Sequence, residues 1–359
     1  MKKIRTFLAA LTAVTMCVGA VPVAQVHLPQ VSITASAEDL TYDNLTYRIE
    51  GDETKTVTIT GCDKNAISID IPAEIDGLPV TKIGTYAFQS HENLVKAIFP
   101  SSILTMGERV FNGDKSLRTV TLPANLKEMG TGTFSGCTSL TEITIPDSVT
   151  SIGEYAFYKC TSLTEITIPD SVTNIRVGAF CGCTSLKKIV IPDGITSIEG
   201  SVFYGCTSLT EITIPDSVTS IWSSAFRGCS SLTEITIPDR VTSIGDSAFY
   251  SCTSLTEITI PDSVTNIEGF VFTDTPWLTA KQEENPLVIL NGTLIDGTTC
   301  TGSVTIPDGV TSIAGGAFDS CTGLTAIAIP KSVTSIGDSA FYRCTSLTEI
   351  TIPDSVTSM

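Results

Sequence analysis

Residues 139–152 read SLTEITIPDSVTSI. Near-copies of this stretch begin at multiples of 23 residues along the chain, at Ser162, Ser208, Ser231, Ser254 and Ser346. A fixed period of this length is the signature of a stack of like supersecondary units, in which each unit contacts mainly its neighbours. The period therefore predicts an elongated repeat protein and argues against a domain built around one central core.

Each repeat contains a short segment in which apolar and polar residues alternate before a proline. Ile143 and Ile145 fall on one side of this segment, and Glu142 and Thr144 fall on the other. This alternation, rich in β-branched residues, predicts a half-buried strand. The proline that follows ends the strand because it has no N–H, and the Asp after it is expected to bond the backbone ahead and turn the chain.

The rest of the repeat is predicted to return apolar groups to the interior. Val149 and Ile152 supply two of these groups, and Gly153 permits a bend. The stretch 154–159 is expected to form one helical turn at most, with Phe157 facing inward. Stacking such repeats should place equivalent side chains in columns, because no single repeat can bury them alone.

Phenylalanine forms the most regular of these columns. Its members lie 23 residues apart, with a single step of 46, at Phe88, Phe111, Phe134, Phe157, Phe180, Phe203, Phe226, Phe249, Phe272, Phe318 and Phe341. Burial of each side chain is expected to stabilise the stack by roughly 1.5–3 kcal/mol.

Cysteine forms a second column, and its members are expected to be reduced. Eight cysteines share one repeat position: Cys137, Cys160, Cys183, Cys206, Cys229, Cys252, Cys321 and Cys344. Side chains in parallel register point the same way, which is poor geometry for a disulfide, so we expect small buried groups with a weak S–H donor. Cys62, Cys181 and Cys300 lie outside the column, and Cys181 is expected to be exposed.

The pattern L-x-x-I-x-I-P-x-x-V-x-x-I-x-x-x-A-F-x-x-C resembles the leucine-rich repeats of BspA-like bacterial surface proteins. The resemblance covers about residues 65–358. It implies a curved solenoid with a parallel sheet lining the concave side, export from the cell, and frequently adhesion to host or matrix components. It supplies no catalytic residues that could be carried over to this chain.

The N-terminus has the three regions of a secretory signal peptide. Lys2, Lys3 and Arg5 precede an apolar run, and small residues near Ala37 suit cleavage there, with cleavage after Ala20 as the alternative. A retained membrane anchor is the other interpretation of this segment. No later segment approaches the ~20 apolar residues that a spanning helix needs, so no membrane span is expected after removal of the signal.

The net charge of -17 argues against binding to nucleic acid or to anionic membrane surfaces. Catalytic and metal sites are also unexpected. His27 and His91 are the two histidines, the sequence has no glycine-rich phosphate loop, and acidic residues in identical repeats offer like environments where general acid–base catalysis needs unlike ones. We expect a protein that is not an enzyme and has no cofactor.

Two acidic stripes run along the predicted stack. The Asp after each proline, such as Asp147, is expected to serve the turn. The Glu and Thr of the strand segments are expected to lie on the exposed strand face, either simply solvated or as a polyvalent surface for a cationic or repeating ligand. The candidate ligand-binding residues are Glu142, Thr144, Glu165, Thr167, Glu211, Thr213, Glu234, Thr236, Glu257 and Thr259.

The predicted fold is an α/β repeat solenoid: a right-handed leucine-rich-repeat superhelix of about twelve turns, roughly 55–60 Å long at strand spacing. Its parallel sheet is expected on the concave face, with short helical turns and loops on the convex side. The predicted segments are a signal peptide (1–37), a small β cap (38–64), repeats (65–272), a degenerate repeat or β-hairpin insertion (273–303), and repeats with an uncapped end (304–359).

Within the cap, 41–50 and 54–61 are predicted strands. In the insertion, Asn291-Gly292 predicts a hairpin turn. The insertion is either a binding element or a repeat that keeps the solenoid in phase. A partial tyrosine column (Tyr158, Tyr204, Tyr250 and Tyr342) either shields the phenylalanines or stacks on sugars.

The predicted function is non-catalytic binding by a secreted or cell-surface protein, with an extracellular protein or glycan as partner and adhesion as the leading case. The alternatives are a structural spacer without a specific ligand and a targeting module of a larger secreted assembly. The sequence predicts no oligomeric state.

Overall fold

The computed structural model describes residues 39–359, and the predicted signal segment with both of its cleavage sites lies outside them. The first strands are β1 (Leu40–Tyr42), β2 (Leu45–Glu50) and β3 (Thr56–Cys62). They pair antiparallel in chain order. The stretch predicted as one strand over 41–50 is therefore two strands of a hairpin. The chain reverses at Asp43, whose φ of 50° lies in the left-handed region.

Short strands then recur along the repeats. They are β4 (Ser68–Asp70), β5 (Glu74–Ile75), β6 (Leu78–Ile83), β7 (Lys96–Ile98), β8 (Thr105–Met106), β9 (Thr119–Thr121), β10 (Glu128–Met129), β11 (Ser151–Ile152), β12 (Glu165–Ile166), β13 (Asn174–Ile175), β14 (Lys188–Val190), β15 (Ser197–Ile198), β16 (Glu211–Thr213), β17 (Ser220–Ile221), β18 (Glu234–Thr236), β19 (Ser243–Ile244), β20 (Glu257–Thr259) and β21 (Asn266–Ile267).

These strands form a β-solenoid of about twelve turns with two parallel ladders. The first ladder is the row made by the parallel sheets β4-β7-β9, β12-β14-β16 and β18-β20, and the second is the row made by β3-β6-β8, β10-β11-β13 and β15-β17-β19-β21. The register advances by one repeat from strand to strand, so that Glu234 lies opposite Glu257 and Ser220 opposite Ser243. The sequence predicts the first ladder. It does not predict the second, because a Ser-Ile pair is too short to show alternation.

The turn between the two ladders is held by Ser148 and not by Asp147. The Ser148 hydroxyl donates to the carbonyl oxygen of Leu126, in the preceding turn of the solenoid, at 2.6 Å. The N–H of Val149 closes the local turn on the Pro146 oxygen at 3.0 Å. Asp147 lies in this turn, as predicted, but within the described residues its side chain does not form the expected bond to the backbone ahead.

The predicted helical turns are absent from the repeats. We call residues 153–161 and their equivalents the turn face. Its N–H groups reach the next turn of the solenoid: Tyr155 donates to the oxygen of Val177 at 3.0 Å and Phe157 to that of Ala179 at 2.8 Å. An α-helix would bond these groups four residues back. The φ of 53° at Tyr155 also interrupts a helix, so the chain forms successive tight turns.

The insertion contains the one helix of the described residues. Its elements and those that follow are α1 (Pro276–Glu284), β22 (Val288–Leu290), β23 (Thr293–Asp296), β24 (Gly302–Thr305), β25 (Ser312–Ile313), β26 (Leu324–Ala328) and β27 (Ser335–Ile336). The helix begins because the hydroxyl of Thr275 accepts the N–H of Leu278 at 3.1 Å and a proline occupies its first turn. Polar residues 281–285, which lack apolar periodicity, were not predicted to be helical.

A hairpin follows α1, as Asn291-Gly292 predicts. β22 and β23 pair antiparallel around these two residues, whose φ values are 47° and 80°. Positive φ at both central positions is what a type I′ turn requires. β23, β25 and β27 then extend a parallel ladder, and β24 pairs with β26.

The predicted phenylalanine column is confirmed as the core. Its rings are fully buried from Phe88 to Phe318, and Phe341 is half-buried. Successive rings stack with centroids 5.2–5.9 Å apart. At the step of 46 residues, Trp277 packs on Phe272 with a centroid separation of 4.7 Å. The core divides there into two clusters, one ending at Val288 and one beginning at Leu294.

The cysteine column is unpaired and acts as a row of donors. The Cys160 sulfur donates to the Phe134 oxygen at 3.1 Å, and the same bond joins Cys206 to the Phe180 oxygen at 3.2 Å. Every cysteine of residues 39–359 is a free thiol. The column cysteines are free thiols, as predicted, and seven of the eight are buried, whereas Cys344 is half-buried. Cys181, expected to be exposed, is also half-buried.

Candidate binding surface

All ten candidate ligand-binding side chains are exposed, and they lie along the first ladder. The glutamates are Glu142, Glu165, Glu211, Glu234 and Glu257, and the threonines are Thr144, Thr167, Thr213, Thr236 and Thr259. They face solvent because the isoleucines that alternate with them point into the core. The parallel register brings the same residue type together from turn to turn, as at Thr144 opposite Thr167.

A groove of about 500 Å³ lies over β16, β18 and β20. It is lined by Glu211, Glu234 and Glu257 and by the three threonines that follow them in their strands. Asp216 and Pro238, from the turns after β16 and β18, also line it. Six of the ten candidate residues therefore share one concavity, and the other four belong to the two earlier turns that carry Glu142 and Glu165.

Lys188 interrupts the row of carboxylates and pairs with one of them. It lies between Glu165 and Glu211 in the register of the first ladder. Its Nζ is 2.9 Å from Oε1 of Glu211, and both side chains are more than half exposed. Exposed pairs of this kind contribute at most about 1 kcal/mol. Glu234 and Glu257 have no ion-pair partner within the described residues, so the groove remains acidic.

Carboxylates on adjacent strands repel one another. At a strand spacing of about 5 Å the repulsion in water is roughly 0.8 kcal/mol per neighbouring pair. A stable solenoid tolerates this energy. A cationic group bound in the groove would relieve it, which gives this surface an electrostatic preference for positively charged or hydrogen-bond-donating ligands.

The turn face carries aromatic and basic side chains. The guanidinium carbon of Arg227 lies 4.3 Å from the ring centroid of Tyr250 and 6.0 Å from that of Tyr204. Arg343 and Lys159 lie over the tyrosines that precede them at 5.0 Å. The tyrosine rings of this column therefore stack on cations of their own chain.

A second concavity, of about 300 Å³, lies beside α1 and was not predicted. The buried carboxylate of Asp296 accepts hydrogen bonds from Gln282 Nε2 at 2.8 Å and from Thr298 Oγ1 at 3.0 Å. Burial raises the pKa of Asp296, and this effect outweighs the hydrogen bonds from Gln282 and Thr298, which lower the pKa. Asp274 and Asp319 also line the concavity. The sequence does not predict this concavity, because its residues come from an irregular part of the chain with no repeating equivalent.

The chemistry of the described residues is limited. Within residues 39–359 there is no group of three or more His, Cys, Asp or Glu side chains placed to hold a metal ion. Burial raises the pKa of column thiols such as Cys160 and Cys206, which keeps them protonated and unreactive. In the same part of the chain, no helix has the length and apolarity that crossing a membrane would require.

Comparison with known proteins agrees with the repeat pattern. The family model described as "BspA type Leucine rich repeat region (6 copies)" matches residues 62–187, 173–289 and 296–359. No curated protein matches the chain.

Several solved structures share the fold. A leucine-rich repeat protein of T. pallidum is 31% identical over 54% of this chain and 91% of its own, with a TM-score of 0.50. One from Bacteroides ovatus is 26% identical over 86% of this chain and 93% of its own, with a TM-score of 0.53. The pneumococcal vaccine antigen PcpA, 17% identical over 90% and 93% of the two chains with a TM-score of 0.50, is similar in fold alone.

The 23-residue period, the isoleucine-proline strand ends and the stacked phenylalanines are thus those of a recognised repeat type, whose model matches nearly all of the described residues. This chain belongs to the family of proteins with BspA-type leucine-rich repeats.

Proposed function

We propose that this protein is a non-catalytic, exported binding protein that adheres to host, matrix or glycan ligands through the first ladder. The observation that carries the proposal is the groove of about 500 Å³ over β16, β18 and β20, lined by repeating Glu and Thr. The proposal includes a right-handed winding and a curvature that puts the first ladder on the concave side. It also includes secretion or display at the cell surface, directed by residues 1–37.

The repeated lining suggests a ligand that is itself repetitive. Each of the strands β16, β18 and β20 presents one carboxylate and one hydroxyl, and those of β18 lie opposite those of β20, Glu234 opposite Glu257 and Thr236 opposite Thr259. A polymer with hydrogen-bond donors or positive charges at regular intervals would meet equivalent partners along the ladder. A ligand with one irregular surface would instead favour strands that differ from turn to turn.

The proposal is tested by binding of the purified protein to mucin, matrix proteins and cell-wall polysaccharides. The test variant combines Glu211→Gln, Glu234→Gln and Glu257→Gln, which keeps the size of each side chain and removes three charges. We expect saturable binding that is lost or at least tenfold weaker in this variant and that weakens at high salt.

A matched control variant combines Glu92→Gln, Glu108→Gln and Glu154→Gln. These three side chains are exposed and lie outside the first ladder, so the change in net charge is the same. Loss of binding in both variants would show that net charge, and not the groove, determines it. Absence of binding to every ligand, with all proteins folded, would favour the structural spacer.

A further inference from the structure

His91 and Asp114 occupy two positions of the cysteine column. Each lies three residues after a phenylalanine of the core, as Cys137 does. At this position seven of the eight thiols donate to the oxygen of the phenylalanine in the preceding turn, and Cys137 bonds that of Phe111 at 3.1 Å. A carboxylate cannot donate, so Asp114 breaks the pattern of the column.

The carboxyl group of Asp114 is fully buried and only partly satisfied. The residue is 0% exposed. Oδ1 accepts the backbone N–H of His91 at 2.7 Å, whereas Oδ2 has no hydrogen-bond partner. Burying a charged carboxylate oxygen without a hydrogen-bond donor destabilises the folded state, and protonation lowers this cost by removing the charge.

His91 ties this carboxyl group to the strand that precedes the repeats. It is 2% exposed. Its Nδ1 lies 2.6 Å from the Phe88 oxygen and its Nε2 lies 3.3 Å from the oxygen of Cys62, at the end of β3. A neutral imidazole can donate to only one of these two carbonyls, and which one depends on its tautomer.

Other titratable groups surround Asp114 from both sides. From the end of β3 come Cys62, with Asp63 beside it, and Lys64, whose Nζ donates to the Gln89 oxygen at 3.3 Å. From the following turn comes Cys137. Burial raises the pKa of Asp114 to about 7, while the backbone N–H groups of His91 and Ser90 and the charge of Lys64 lower it.

We propose that Asp114 and His91 form a pH-sensitive seam between β3 and the first repeat turns. The seam is tight while the Asp114 carboxyl group is protonated. It loosens when the group ionises, because the buried Oδ2 then carries negative charge without a hydrogen-bond donor. The N-terminal strands of this binding protein would therefore be held less firmly against the repeats at neutral or alkaline pH than at acidic pH.

The direction of the effect follows from proton linkage. The pKa of Asp114 in the folded protein, about 7, lies above its ordinary value of 3.8. Between these values the folded protein binds more protons than the unfolded chain, so this group's contribution to stability falls as the pH rises. The contribution is most favourable below about pH 4 and reaches its lower limit above about pH 7.

The test compares the wild-type protein with Asp114→Asn from about pH 4 to about pH 9. The amide keeps an acceptor for the His91 N–H and cannot ionise. We expect the Tm of the variant minus that of the wild type to rise by several degrees as the pH passes from about 4 to above 7. Taking the difference cancels the titration of every other carboxylate.

Asp147→Asn is the matched control, because Asp147 is exposed, and its difference in Tm should not change with pH.

Hydrogen exchange locates the effect: above pH 7, residues 57–64 and 88–95 should lose protection in the wild type relative to 203–212, and Asp114→Asn should restore it. Asp114→Ser serves the same purpose if the Asn variant does not fold. A difference in Tm that stays constant over the whole pH range would overturn the proposal.

Discussion

The ring of Tyr155 fills the space that a side chain on Gly178, one turn further along the solenoid, would need. A Cβ atom built on Gly178 would overlap Cε1 of Tyr155. Both residues have positive φ, 53° and 62°. At the equivalent position of later turns, Ser201, Ser224 and Ser247 keep a positive φ with a small side chain. A large residue on one turn is thus accommodated by glycine on the next.

This relationship predicts a specific coupling between the two residues. Gly178→Ser should destabilise the protein by about 1–3 kcal/mol because the new side chain meets the tyrosine ring. Tyr155→Ser should suppress most of that loss, since Ser followed by Ser is the arrangement of the later turns. A double-mutant cycle measured by chemical denaturation should give a coupling of about 1 kcal/mol or more. Strictly additive effects would contradict the packing relationship.

Removal of one ring from the phenylalanine column should be costly. Phe203 is fully buried between Phe180 and Phe226, at centroid separations of 5.9 and 5.4 Å. Phe203→Ala should lower the free energy of unfolding by about 3–5 kcal/mol, because both neighbours lose contacts and a cavity remains. Tyr204→Ala, on the exposed neighbouring residue, is the control and should cost far less. A thermal melt of Phe203→Ala that matched the wild type would show that the column is not core.

The thiols should react in an order set by burial. Cys181 is half-buried, whereas Cys206 is fully buried and donates to the Phe180 oxygen at 3.2 Å. With a small alkylating agent at about pH 8, Cys181 should be modified well before Cys206, as followed by mass spectrometry of peptides. Cys181→Ser should remove the fast phase, and denaturant should abolish the difference. Equal rates in the folded protein would mean that the column is open to solvent.

The side chain of Asn291 should be necessary for attaching the hairpin to the preceding turn. Its Nδ2 donates to the oxygens of Pro261 and Val264, each at 2.9 Å. Asn291→Gly keeps the positive φ and loses both bonds, for an expected cost of about 1–3 kcal/mol. Asn291→Asp has nearly the same shape but places a carboxylate against two carbonyl oxygens, so it should cost more. An Asp variant as stable as the wild type, measured by chemical denaturation, would exclude this role.

Much of the interior could be predicted because the period repeats many times. Phe157, Ile143 and Cys160 recur at fixed positions, and a residue that recurs in a stack faces its own equivalents. The exposure of Glu234 and Thr236 follows in the same way, from alternation with isoleucines. Whether these exposed side chains bind a ligand stays a prediction until the binding experiment is done.

Some features that the sequence does not predict arise where chemically unlike residues share one repeat position. His91 and Asp114 stand where later turns have cysteine, and the signal that could have found them is the constant spacing of three residues after each phenylalanine. Residues 154–159 are another case: the sequence predicts at most one helical turn there, and the structure has none. The backbone N–H groups of this stretch bond the next turn of the solenoid instead of residues four positions back. The sequence of a single repeat does not show this choice of hydrogen-bond partner.

By itself, the sequence determined the period, the direction in which each recurring side chain points and the row of glutamates and threonines, because these depend only on repetition and alternation. The tertiary structure decided which groups meet across neighbouring turns. It set the bond from Ser148 to Leu126, the ion pair of Lys188 with Glu211, and the burial of Asp114 beside His91. These contacts join residues that are 22 or 23 positions apart in the chain. They exist only once the turns are stacked at a distance and register that the hydrogen bonds between them impose.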